Sequence, residues 1–297
     1  MANAEITVLE GGLRTPPEAR AKGTRTAALA RVVHNRTLLV GASITLVVIL
    51  ASLLAPLIAP YDPQTMNLAA AMQAPSWQHL AGTDNFGRDM LSRILYGGRI
   101  ALLVAFTSVA IAVGIGCLLG FAAGYAGGMV DVIVQRLVDL MLAFPSLLLA
   151  FLVIAILGPG LVNAIIAIGV GGVPVYARVA RAEVLKLRSR EFVESAKAMG
   201  ASDARVLFRH VIPNSLSPIL VLAGLGMASA ILTEAALSYI GLGAQPPSPD
   251  WGSTLSQAQD YIETQWWLPT FPGLAIVVTA LGFNLLSDGL RDHLDPR

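Results

Sequence analysis

Apolar runs long enough to cross a bilayer alternate along the chain with short polar breaks rich in glycine and proline. A span needs about 20 mostly apolar residues. Leu38–Ala59, Ile100–Gly124, Leu137–Leu157, Ser217–Leu242 and Thr270–Ser287 meet that length. A sixth run, Leu161–Val179, is interrupted by Gly169, Gly171, Gly172 and Pro174 and ends in charge at Arg178 and Arg181. The pattern predicts an all-α polytopic membrane protein with six transmembrane helices. The first run is too long, and too far from the start, for a cleaved signal peptide with its 7–15-residue apolar core, so it reads as an uncleaved anchor. Before it, residues 1–36 are rich in Ala, Thr, Gly, Pro and Arg without apolar period and read as a disordered cytoplasmic tail. Residues 37–297 are then the membrane domain, with a polar segment over 181–215.

The basic residues give these spans a direction, because loops rich in Lys and Arg stay on the cytoplasmic side. Six such residues lie at or before Arg36, and eight lie between Arg178 and Arg209, whereas the 243–269 loop has none. Arg88, Arg93 and Arg99 in the 60–99 loop are a mild exception. With six spans both termini and the 181–215 segment fall in the cytoplasm. Composition agrees: 55% of residues are hydrophobic and 13% charged, against about 25% charged in soluble domains. A net charge of +1 gives no footprint for nucleic acid.

Little in the chain suggests catalysis. It has no G-x-S-x-G, H-E-x-x-H or G-x-G-x-x-G, and Gly-Lys occurs nowhere, which excludes the phosphate-cradling G-x-x-x-x-G-K-[ST] loop. The four histidines are scattered and Cys117 stands alone in an apolar run, so neither a metal site nor a disulfide framework is expected. No catalytic, cofactor-binding or metal-binding residue is therefore assigned. If the protein uses ATP, another chain must bind it.

Ionisable groups within spans are costly and draw attention to function. Glu234, two to three turns from the outer end of its span, is either a structural hydrogen-bonding group or a transport group. Asp139 lies about one turn from Arg136, and Asp288 three residues from Arg291, suggesting interfacial ion pairs. Gly116, Gly120, Gly124 and Gly128 repeat every four residues, clearing a helix face for close approach by another helix, of this chain or of a second subunit. Trp77, Trp251, Trp266 and Trp267 sit near span ends and form either an interfacial belt or a contact surface. Gly82, Thr83, Asp84, Gly87, Arg88 and Asp89 either meet a partner or simply fold their loop through turns.

The most informative polar stretch is EFVESAKAMGASDARVLFRHVIPN, residues 191–214. Phe192, Ala196 and Met199 form an apolar stripe with Glu194 and Lys197 beside it. Gly200 ends this helix, Ser202 caps a second with Asp203 in its first turn, and Pro213 marks the return to the membrane. The result is either a projecting knob or an amphipathic helix lying on the lipid surface.

The run E-S-A-x-x-x-G followed by Ile212–Pro213 resembles the E-A-A motif of ABC importer permeases. Ser195 stands for the middle alanine, His210 for the isoleucine and Ile212 for the leucine of that motif. GTDNFGRDMLSRILYGGRIAL, GYAGGMVDVIVQRLVDLMLAFP, EAALSYIGLG, PDWGSTL and NLLSDGLRDHLDP are similar to the second permease of the dipeptide/oligopeptide/nickel branch, covering roughly Leu38 to Pro296. The resemblance implies a type I ABC importer permease fold and a non-catalytic subunit of an ATP-driven importer. Its implied partners are a second, homologous permease forming a heterodimer, two ATP-binding subunits carrying ATP and Mg, a periplasmic or extracellular substrate-binding protein, and membrane lipid. It implies that Glu194, Ser195, Ala196 and Gly200 form a coupling helix docked on an ATPase. Dipeptides, oligopeptides, glutathione and nickel chelates all remain open as cargo. The rival class is a self-sufficient ion-coupled secondary transporter or channel, favoured only by the Gly/Pro-interrupted fourth span.

Overall fold

The computed structural model describes residues 35–294. The expected tail over 1–36 lies outside them, apart from Asn35, whose side chain caps the first helix at Leu38 N (3.0 Å), and Arg36, which opens it. The described residues are helical, joined by loops. Helix α1 spans Arg36–Leu53, α2 Met90–Ala126, α3 Gly128–Leu142, α4 Ser146–Leu157 and α5 Leu161–Arg188. Two short helices, α6 (Glu191–Ala198) and α7 (Asp203–Val206), precede α8 (Ile212–Tyr239). After α8 come α9 (Trp251–Ala258) and α10 (Trp267–Leu294). Among the described residues five helices are long and apolar enough to cross a membrane, or six if α3 and α4 count as one bent span.

Two of the expected spans differ from their sequence patterns, and in opposite senses. The run Leu137–Leu157 is not one helix: α3 and α4 meet at 94°. Pro145 supplies no N–H and biases Phe144 away from helical geometry. Residues 143–146 are exposed, so no neighbour holds the helix straight across them. The run with Gly169, Gly171, Gly172 and Pro174, by contrast, is a continuous 28-residue helix. Its glycines serve packing. A Cβ on Gly172 would lie 2.9 Å from the Ala112 side chain, and one on Gly169 would lie 3.1 Å from the Ser108 carbonyl. Pro174 is itself buried within the bundle, where packing offsets its missing hydrogen bond.

The α2–α5 contact is the spine of the bundle, and the glycine row makes it possible within one chain. Cβ atoms added at Gly116 and Gly124 would lie 2.6 Å from the Val173 carbonyl and 3.1 Å from the Arg181 carbonyl. Gly120 meets the Ala177 carbonyl between them. The fourth member, Gly128, faces open space and turns the chain into α3 with φ +52°. In lipid such close packing, rather than hydrophobicity, holds helices together. Around this spine Ala101, Ala105, Val109, Tyr176, Ala228, Ile231 and Phe283 form the main core. The apolar residues of α1 that point away from it, including Leu46, Val47 and Leu53, are exposed and suit a lipid-facing surface.

Candidate functional site

The 189–211 segment stands at one end of the bundle, here called the basic end. Helix α6 stops in a Schellman arrangement. The Ala201 N–H reaches the Ala196 carbonyl (3.0 Å), the Gly200 N–H reaches that of Lys197 (2.9 Å), and Gly200 takes φ +83°. That conformation suits glycine because it has no Cβ to collide with the chain. Ser202 then caps α7, its hydroxyl accepting from Arg205 N (3.4 Å). The chain does not break at Pro213. A π-helical turn over Leu207–Val211 joins α7 to α8, and its wider ring accommodates the proline that ordinary helical geometry rejects.

The apolar stripe faces differently from the sequence expectation. Val193 and Ala196 are buried against Val184, Leu187, Val206 and Val211, while Phe192 and Met199 are turned outward, Met199 to 83% exposure. Three of the sequence-identified residues, Glu194, Ser195 and Gly200, lie on the exposed surface; Ala196 belongs to the inner contact. Lys197 pairs across the bend with Asp203 (3.7 Å) instead of with Glu194. Asp203 also accepts from the Tyr125 hydroxyl (2.8 Å), and the Arg188 guanidinium donates to the Gly124 carbonyl (3.3 Å). These contacts hold the segment as a knob folded onto the ends of α2 and α5, with Phe192, Met199 and Phe208 left as outward apolar groups.

The opposite, loop end is sealed by buried charge. Asp84 accepts from the Phe86 and Arg88 N–H groups (2.9 Å each) and from Arg88 Nε (2.6 Å), with Arg93 Nε 3.7 Å away. Arg88 also donates to Gln257 (2.8 Å) and Arg93 to the Pro63 carbonyl (3.2 Å) and the Thr254 hydroxyl (3.3 Å). Asp89 caps α2 at Ser92 N (2.8 Å) and meets His79 Nδ1 (2.9 Å). The 82–89 motif thus folds its own loop and pins it to α9. Of the tryptophans, Trp251 and Trp267 are core residues donating to the Ile94 and Thr83 carbonyls, and only Trp77 and Trp266 are exposed.

Glu234 lies five residues before the α8 terminus at Tyr239, nearer the end than its apolar surroundings suggested. It is buried and accepts from the Ser238 hydroxyl on one oxygen (2.8 Å), while its Oε2, like Oδ2 of the buried Asp250, has no hydrogen-bond partner among the described residues. Ser238 in turn accepts from Ala244 N (3.2 Å), and Asp250 caps α9 at Ser253 N (2.8 Å). Glu234 therefore ties a span to the loop end. The other expected pairs also differ. Asp139 bonds Arg178 (2.8 Å) rather than Arg136, and among the described residues Asp288 and Arg291 form no ion pair. Arg178 and Arg181 had been read only as the polar end of a span; their partners, Asp139 and Asp131, are 39 and 50 residues away in sequence, beyond any local signal.

Long, lipid-suited helices with a folded knob at one end and a sealed cap at the other define a polytopic membrane protein with a structured element at each end. The chain belongs to the family of binding-protein-dependent transport system inner membrane components, which matches residues 116–297. Residues 26–75 match the N-terminal TM domain of oligopeptide transport permease C. It is 46% identical over 270 residues to the dipeptide transport system permease protein DppC of Alkalihalophilus pseudofirmus, covering 91% of this chain and 89% of that one. With the di/tripeptide transport system permease protein DppC of Pseudomonas aeruginosa the identity is 44%, covering 89% of each chain. With DppC of Escherichia coli it is 45%, covering 89% of this chain and 90% of that one. The fold is the type I ABC importer permease fold. A chain of the inward-facing MetNI methionine ABC transporter superimposes with a TM-score of 0.55 at 19% identity, covering 69% of this chain and 98% of that one.

Proposed function

We propose that this chain is one of two permease subunits of an ATP-driven importer of dipeptides or short oligopeptides. Two cytoplasmic ATPases bind the ATP and Mg, and a substrate-binding protein delivers cargo to the loop end. The peptide assignment follows the names of the relatives, which agree over nine-tenths of the chain. The basic end lies in the cytoplasm because it carries the excess of Lys and Arg.

The observation that carries the coupling role is the two-sidedness of α6. Its inner side, Val193 and Ala196, anchors it to the bundle, while Glu194, Ser195, Phe192 and Met199 are presented outward on a short rigid element. Motion of an ATPase seated on that surface passes through the π turn directly into α8 and through the Val184–Leu187 contact into α5. The ion-coupled alternative loses its support, since the fourth span is unbroken and Glu234 sits near a helix end.

Co-purification from native membranes in mild detergent tests this reading. Recovery of a second permease and ATPase subunits in fixed ratio is expected. Glu194→Arg and Gly200→Val are expected to insert and fold but lose bound ATPase and peptide uptake. Normal uptake with both variants would remove the docking assignment.

A further inference from the structure

Two ion pairs join α3 to α5, and they are built differently. Arg181 grips Asp131 with two bonds, Nε at 2.5 Å and Nη2 at 2.6 Å, and the two side chains are 30% and 21% exposed. Arg178 holds Asp139 by a single bond of 2.8 Å, with the side chains 57% and 55% exposed. The first is a fastener. The second has free guanidinium and carboxylate edges and gives up little when it opens, since a singly bonded, solvated pair gains little over its hydrated parts.

Arg178 lies close to a cavity. A half-open space of about 270 Å³ is enclosed by α2, α4, α5 and α8. On α5 it is lined by Gly171 and Val175, and Arg178 continues that same helix face one turn toward the basic end. No acid or basic side chain lines the cavity itself. Its polar groups are hydroxyls that have mostly spent their protons on backbone carbonyls: Ser108 on Val104 (2.6 Å), Thr233 on Ser229 (2.8 Å) and Tyr176 on Leu222 (3.3 Å). Their lone pairs remain to accept N–H groups. A largely apolar pocket with a few convergent polar groups is the usual form of a small-ligand site.

We propose that this cavity is the chain's share of the peptide path, and that Asp139 and Arg178 are its specificity-determining charges, exchanging their mutual bond for the ammonium and carboxylate of a zwitterionic short peptide. The chemistry balances without any net change of charge: the Asp139–Arg178 bond opens, Asp139 takes the ammonium and Arg178 the carboxylate, and each charge keeps an opposite partner. When the peptide departs, the pair closes behind it. The hydroxyl lone pairs above serve the peptide's amide N–H groups, which all short peptides share, while the side chains meet the apolar walls. This inference rests on the peptide-importer reading.

The test uses the complete importer, with its second permease, ATPases and binding protein, in proteoliposomes supplied with radiolabelled alanylalanine. Arg178→Gln and Asp139→Asn are each expected to lower uptake about tenfold while the yield of assembled complex stays near wild type. The exchanged double variant, Asp139→Arg with Arg178→Asp, restores an ion pair but reverses the order of charges along the path, so uptake is expected to stay low. Ser229→Phe, at an exposed position on the cavity wall, is expected to block uptake by filling the space. Rescue of uptake to within twofold of wild type by the exchanged pair would show a purely structural bond and overturn the proposal. So would full uptake by either single variant or by Ser229→Phe. A wild-type complex that moves no peptide would instead defeat the importer reading itself, whatever the variants do.

Discussion

At the loop end Asp84, Arg88 and Arg93 are buried against one another, whereas at the basic end Glu194, Lys197 and Asp203 face solvent on a short helical knob. The two regions contain similar residue types and use them differently. Buried charges at the loop end spend most of their hydrogen bonds on one another and on α9, with Arg93 Nε left to an ion pair alone, and they pin the 82–89 loop in place. They are a cap, and Trp77 and Trp266 are exposed outside it. The knob has the reverse economy: a small apolar root and a polar, partly apolar outer surface with few internal bonds. Burial of charge closes one end, and exposure of charge beside apolar groups leaves the other with an open surface.

Removing a partner from each region should separate these roles on a stability scale. Asp84→Ala strands two buried guanidinium groups and is expected to cost about 3–5 kcal/mol, the range for breaking a buried pair from one side. Thermal unfolding in detergent would show it as a large fall in midpoint or a failure to accumulate. Gly120→Val forces a side chain into the Ala177 carbonyl at the α2–α5 crossing and should cost about 1–3 kcal/mol by overpacking. At the junction, Glu234→Gln keeps the bond from Ser238 and offers a donor to Asp250, so uptake and midpoint should stay near wild type. A loss of uptake in that variant with an unchanged midpoint would restore a transport role for Glu234. Smallest in stability is Glu194→Arg, an exposed change expected within about 0.5 kcal/mol, yet it should abolish uptake and retention of the ATPases. If Glu194→Arg lowers the midpoint as far as Asp84→Ala does, the contrast between cap and knob fails.

Much of the site was readable because its signals are local. Gly200, Ser202 and Asp203 announce a helix stop and start through chemistry confined to a few residues, and the structure places both where expected. The stripe was misassigned because Phe192 and Val193 are both apolar, and spacing does not say which side meets the bundle. That choice fell to Val184 and Leu187, which lie on the preceding helix, and to Val206 and Val211, which follow the bend.

By itself the sequence determined that the chain lives in lipid, which stretches of it are the apolar cores of its spans, and which end carries the basic excess. These follow from hydropathy and charge summed along contiguous residues, which the bilayer reads without reference to tertiary contacts. Only the tertiary structure decided that Pro145 breaks a span while Pro174 does not, that Trp251 and Trp267 are core, and that Asp139 takes Arg178. Each of those outcomes depends on what another helix brings within a few ångströms: a packed neighbour that supports Pro174, a carbonyl for an indole, a guanidinium from 39 residues away. Local pattern sets what a residue needs, and the approach of distant segments sets which need is met.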